Sequence, residues 1–154
     1  MPFTLAPYDS CPFCRYVRGE AEYIALAEDD LVLALMNYRQ YERGAMLVIP
    51  KRHCQTILDV SDTEVASLYR LAKTLARGAE IALGACGANI YQNNGVIAGQ
   101  HVPHVHVHVV PRYPDSDSEK LFLMRNFPIL PLDELRPTAA AIRATFRPTS
   151  IPMV

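Results

Sequence analysis

The chain has 154 residues, a length that suits one domain built on one hydrophobic core. Half of the residues are apolar and 20% are charged, an ordinary globular balance. A net charge of −1 with no basic block argues against nucleic-acid binding by a charged surface, while a small phosphorylated ligand held by a few local donors stays compatible.

The first residues, Met1-Pro2-Phe3-Thr4-Leu5-Ala6-Pro7, have no basic start followed by an apolar run, so no signal peptide is expected. No stretch approaches the length of a membrane-spanning helix. The expectation is a soluble cytoplasmic protein with no membrane partner. In a reducing compartment, Cys11, Cys14, Cys54 and Cys86 point to metal binding or inert burial rather than disulfides.

Residues 1–10 read as a loose arm. The apolar run Leu31-Val32-Leu33-Ala34-Leu35-Met36 predicts a buried strand, and residues 38–44 are polar and loop-like. Ala45-Met46-Leu47-Val48-Ile49 predicts a second strand, stopped by Pro50. Ser61-Asp62-Thr63-Glu64 is a capping-box pattern. Behind it Val65, Leu68, Ala72, Leu75, Ala79 and Ala82 recur at spacings of three and four, predicting a helix to about Gly84 with one small-sided apolar stripe. A third strand is expected over residues 89–93, a loop from Asn94-Gly95 to Gln100, and a fourth strand over 104–110 closed by Pro111.

Residues 114–119 form a polar loop. A last helix is expected over 133–147, with Pro137 in its first turn or breaking it. The loop between the last two strands is too short for a crossover helix. The fold class is therefore α+β: an antiparallel sheet with one long helix and a shorter C-terminal helix. No internal repeat or second domain is visible. Residues 1–154 read as a single domain with its core at about 11–113 and a C-terminal extension at 114–154.

Four of the five histidines lie between positions 101 and 108. On a strand, His104, His106 and His108 share one face, and Val105, Val107 and Val109 anchor the other. Three histidines on one face are costly as mere structure: charged they repel, and buried they need partners. Such a row suits metal ligation or chemistry on anions. The preceding Asn93-Asn94-Gly95-Val96-Ile97-Ala98-Gly99-Gln100 adds neutral amide donors and glycines that allow close backbone approach, which suits phosphate oxygens. An imidazole can attack phosphorus to form a covalent phosphoramidate, splitting one hard displacement into two easier ones. Cys11-Pro12-Phe13-Cys14 is ambiguous by itself: a redox pair, half a zinc site or chance.

The stretch Gly99-Gln100-His101-Val102-Pro103-His104-Val105-His106-Val107-His108-Val109-Val110-Pro111-Arg112 resembles the signature of the histidine triad (HIT) family. The likeness runs from about Cys11 to Arg112 and takes in Val32 to Asn37, Gly44 and Leu47 to His53. The resemblance implies a small α+β unit that pairs into homodimers with joined sheets. It implies an enzyme that hydrolyses or transfers nucleotidyl groups of a purine nucleotide: a dinucleoside polyphosphate, a nucleoside phosphoramidate or an acyl-adenylate. By the same resemblance His106 is the nucleophile, His108 helps hold the phosphate, and the His104 carbonyl orients the nucleophile's ring. Asn93 and Gln100 match amides that bind phosphate oxygens near the leaving group, and Asn37 falls where the ribose is contacted.

The sequence departs from the family pattern at three positions. His101 stands where serine or threonine is usual, as a candidate proton donor or phosphate ligand beside the reading as a loop histidine. Asn37 replaces the frequent aspartate, as in the fragile histidine triad branch. Ala45 replaces a frequent histidine. Many bacterial members carry a C-x-x-C joined by two histidines, which implies a structural zinc on Cys11, Cys14, His53 and His104. No organic cofactor is implied. Cys54 and Cys86 read as small hydrophobes. Two other readings stand beside this one: a non-catalytic nucleotide-binding or interaction protein of the same fold, and a metal-dependent hydrolase with the histidine row as ligands. Against the latter, Asp and Glu are missing between Glu80 and Asp115. The stretch 121–154, with Phe122, Phe127 and Phe146, is expected either to close over the site or to extend a dimer contact.

Overall fold

The computed structural model of the chain describes residues 3–6, 10–117 and 127–146. Within them lie α1 (Pro12–Val17), β1 (Ala25–Glu28), β2 (Val32–Met36), β3 (Met46–Pro50), α2 (Asp62–Leu83), β4 (Gly87–Tyr91), β5 (Val107–Arg112) and α3 (Leu132–Arg143). Short 3-10 turns cover Ile57–Asp59 and Val96–Ala98. The strands form one sheet in the order β1-β2-β3-β5-β4, with every neighbouring pair antiparallel. This is the α+β architecture that the sequence predicts. Phe122, the last two residues of the polar loop and the end of the expected last helix lie outside the described residues.

The sheet is covered on both faces. Val48, Val105, Val107 and Val109 pack with Leu68, Ala72, Leu75 and Ala79 of α2 and with Leu135, Ala139 and Ile142 of α3. On the opposite face Leu33, Leu35, Leu47 and Ile49 pack with Phe13 of α1. Every residue of β2 and β3 is therefore buried, which explains why these strands read as unbroken apolar runs rather than alternating ones. The pleat then puts His108, paired with Leu47 on β3 and with Tyr91 on β4, on the α1 face.

α2 keeps its expected limits. Ser61 and Glu64 close a reciprocal capping box, and Gly84 ends the helix at φ 70° in the left-handed region. Two elements, α1 and β1, were not expected. α1 is too short to show periodicity; it starts on a cap at Cys11, with Pro12 in its first turn. β4 begins and ends two residues earlier than expected.

The histidine strand is shorter at its start: β5 begins at Val107, so His104 and His106 precede it. Pairing with β3 stops at Val48, and the Val105 N–H instead donates to the Cys54 carbonyl (2.7 Å). Pro111 does not end β5, which continues to Arg112. Pairing with β3 starts at Val109, so Pro111 has one neighbouring strand, the edge situation in which proline is tolerated. Nor does Pro50 stop β3 before it, since Pro50 pairs with Val32. Pro137 lies inside α3, beyond its first turn, without breaking it. Both Pro137 and Asp133, whose carbonyl loses its helical partner there, are exposed to water.

Glu64 links the start of α2 to the loop after β3. Its carboxylate accepts from Arg52 Nε (3.1 Å) and Nη2 (2.8 Å), and from the Ser61 N–H (2.9 Å) and hydroxyl (2.8 Å). These donors, Arg52 foremost, hold its carboxyl down at about 2, against an ordinary 4.5. The folded state thus gains from the ionised form above the unfolded value of 4.5 and loses that gain as pH falls toward about 2. Glu64→Gln should lower unfolding stability at neutral pH by about 1–3 kcal/mol. Urea unfolding should show the gap between wild type and variant narrowing below pH 4.5; a gap that widens there would contradict the assignment.

Candidate active site

All three triad imidazoles are buried. The His104 ring lies edge-on to Phe13 at 5.5 Å, and the His106 ring lies 5.3 Å from the same Phe13. Phe13 is thus a wedge between two histidines and carries part of the cleft wall. His106 Nδ1 lies 2.7 Å from the His104 carbonyl, so the ring donates Nδ1–H to it. That bond fixes the tautomer and leaves Nε2 with its lone pair. Burial lowers the His106 pKa, and the imidazole is neutral. Burial, with a smaller contribution from His106, pushes His108 down to about 3. The charge repulsion that a histidine row threatens is removed by keeping the rings neutral.

His106 and His108 line a cleft with Phe13, Asn37, Asn93 and His101. Five of the expected site residues therefore meet: His106, His108, Asn37, Asn93 and His101. Asn37 directly follows β2 and is buried, its side-chain carbonyl accepting from the Arg39 N–H (2.9 Å). The Asn93 amide nitrogen reaches the Gly99 carbonyl at 3.4 Å across the loop. His101 is exposed at the cleft.

Gln100 is placed differently from expectation. It is not among the cleft-lining residues, and both ends of its amide engage backbone. Nε2 donates to the Gln55 carbonyl (2.6 Å), and Oε1 accepts from the Gly95 N–H (2.7 Å). It is 2% exposed and anchors the loop that carries Asn93 and His101. Gly95 has φ 82°, and a Cβ there would lie 3.1 Å from the Thr4 carbonyl, so the loop's closeness to the N-terminal arm needs a glycine. Tyr38, Arg39, Tyr41 and Tyr91 were not anticipated. The first three line the cleft, and Tyr91 stacks on His108. Tyr91 was visible as a strand residue, but its position opposite His108 depends on register.

Cys11, Cys14, His53 and His104 bring their donor atoms within 4.8 Å of one another. Cys11 Sγ lies 3.2 Å and Cys14 Sγ 3.6 Å from His104 Nδ1, while His53 Nδ1 lies 3.2 Å from both Cys14 Sγ and His104 Nδ1. A tetrahedral zinc with its usual bond lengths sets ligand atoms about 3.3–3.8 Å apart, close to this spacing. His104 Nε2 lies 2.9 Å from the Pro50 carbonyl and donates to it. A neutral His104 therefore turns a bare Nδ1 lone pair toward His53, which suits a cation. Among the described residues this is the one such cluster, and of the triad it contains His104 alone. That placement counts against the histidine row as a set of ligands to one catalytic metal. Cys54 is buried as expected, whereas Cys86 is exposed.

The HIT domain model matches residues 18–115. The chain belongs to the HIT family. It is 39% identical over 103 residues to the adenosine 5'-monophosphoramidase of Schizosaccharomyces pombe, covering 67% of this chain and 74% of that protein. It is 33% identical over 104 residues to an adenylylsulfatase of Arabidopsis thaliana, covering 68% of this chain and 53% of the plant protein. The crystal structure of a Zn-bound histidine triad family protein from Mycobacterium smegmatis superimposes with a TM-score of 0.75 at 34% identity, covering 88% of this chain and 91% of that one.

Proposed function

We propose that this HIT protein is a nucleotidyl hydrolase or transferase that acts on the α-phosphate of a purine nucleotide through a covalent intermediate on His106. The observation that carries the reading is the 2.7 Å bond from His106 Nδ1 to the His104 carbonyl at the cleft, which leaves Nε2 as a neutral nucleophile. The relatives named as a phosphoramidase and an adenylylsulfatase support the substrate class. Dinucleoside polyphosphates, phosphoramidates and acyl-adenylates all present the required α-phosphate.

In the first step Nε2 forms a bond to phosphorus while the bond to the leaving group breaks, and the leaving group departs with a proton from a cleft donor. Water then attacks the same phosphorus as the P–Nε2 bond breaks, its proton passes to the cleft donor, and nucleoside monophosphate leaves the restored neutral imidazole. His108 and Asn93 supply neutral donors to the phosphate oxygens, where charge builds in the transition state. Exposed His101 serves the leaving group, and Asn37 holds a ribose hydroxyl. Gln100 acts by fixing the loop. His106→Asn should abolish turnover of adenosine phosphoramidate, by roughly a thousandfold or more, while AMP still binds. Unchanged turnover would overturn the mechanism.

Cys11, Cys14, His53 and His104 are proposed to hold a structural zinc that ties α1 to the residue orienting His106. The Zn-bound relative supports this. Elemental analysis should give about one zinc per chain. A Cys11→Ser/Cys14→Ser variant should lose that zinc and melt at lower temperature. Full zinc retention in it would reject the site.

Two copies are proposed to pair through β4, whose outer edge has no strand beside it among the described residues and which exposes Ile90. Light scattering should report twice the 17.2 kDa chain mass, and a monomer at micromolar concentration would contradict the pairing.

A further inference from the structure

Hydrogen bonds orient two of the three triad rings, His104 through the Pro50 carbonyl and His106 through the His104 carbonyl. His108 has no such tether. Its Nδ1 is buried without a hydrogen-bond partner. Aromatic rings surround it instead. Tyr91, its direct partner across the β4–β5 ladder, stacks on it at 4.5 Å with an interplanar angle of 6°. Tyr41 lies 5.7 Å away at 55°, and Phe127 packs edge-on against Tyr41 at 4.6 Å and 89°.

Phe127 belongs to a segment docked along the loop that carries Tyr41. The Leu130 N–H donates to the Tyr38 carbonyl (2.9 Å), the Gln40 N–H donates to the Pro128 carbonyl (3.2 Å), and Arg39 and Ile129 form an isolated β-bridge. Residues 127–130 thus act as a short extra strand behind the cleft wall. This gives the described start of the C-terminal segment a place in the site.

We propose that Tyr91 and Tyr41, the latter buttressed by Phe127 and residues 127–130, are positioning residues that fix the plane of the His108 ring. A parallel stack restricts rotation about the Cβ–Cγ bond of the imidazole. An unpaired buried N–H is costlier than an unpaired acceptor, so the proton sits on Nε2 and Nδ1 stays bare. His108 is thereby a neutral N–H donor of fixed direction, a geometry that its own backbone does not impose. The kinetic consequence rests on the proposed role of His108 at the phosphate; the positioning does not.

The test uses the full chain and two readouts. In proton NMR, the carbon-bound ring protons of His108 should be shifted upfield by the Tyr91 ring in wild type and Tyr91→Phe, and should lose that shift in Tyr91→Leu. With adenosine phosphoramidate as substrate, kcat should fall on the order of ten- to a hundredfold in Tyr91→Leu, with a smaller change in KM. Tyr91→Phe should restore most of the rate. Phe127→Ala should lower kcat in the same direction through Tyr41. Retention of both ring shift and kcat in Tyr91→Leu would overturn the proposal, as would a Tyr91→Phe variant as slow as Tyr91→Leu. If wild type turns over no nucleotide, the catalytic reading fails, while the ring shift still decides the positioning.

Discussion

His104 is the point on which the site depends, because it acts through two separate atoms. Its carbonyl accepts the Nδ1–H of His106 and so sets which nitrogen of that ring is free. Its own ring is pinned by the Pro50 carbonyl on one side and faces Cys11, Cys14 and His53 on the other. The end of β3, the cap of α1 and the chemistry of His106 therefore meet in one residue. A proposed zinc there needs no reactive role to matter. By fixing the His104 ring it fixes the carbonyl attached to the same backbone.

Neutrality is the second constraint. Burial lowers the pKa of each triad histidine, and in His108 the neighbouring His106 lowers it further. A row of charged imidazoles would repel itself and favour unfolding. A row of neutral ones offers lone pairs and N–H donors whose direction can be chosen by what lies beside each ring. The fold makes that choice three ways: a carbonyl for His104, another for His106, and aromatic stacking for His108.

The sheet holds these choices in register. It is packed on both faces, so a side chain's face is settled by the pleat and by pairing rather than by contrast between core and water. Val107 and Val109 go to the α2 face because Val48 and Met46 pair with them there. His108 goes to the opposite face, between Leu47 of β3 and Tyr91 of β4. A slip of one residue would exchange the valines and histidines across the sheet, with a cost to burial on both sides.

Much of this was legible in the residues themselves. The capping box at Ser61 and Glu64, the stripe of α2 and the runs of β2 and β3 are local signals, set by hydrogen bonding and periodicity over a few residues. The alternation of histidine and valine separated two faces, the family signature marked His106, His108, Asn37 and Asn93, and a departure from it marked His101; all five meet in one cleft. Tertiary structure decided what depends on distant partners. Gln100 looks like a free amide in the sequence, but Gln55 and Gly95 use both of its ends. Tyr91 and Phe127 carry no motif, and only strand pairing and the docking of residues 127–130 bring their rings toward His108. Periodicity records which way a side chain faces. It does not record which distant backbone or ring will occupy the space in front of it, and here that second fact sets the direction of each proton.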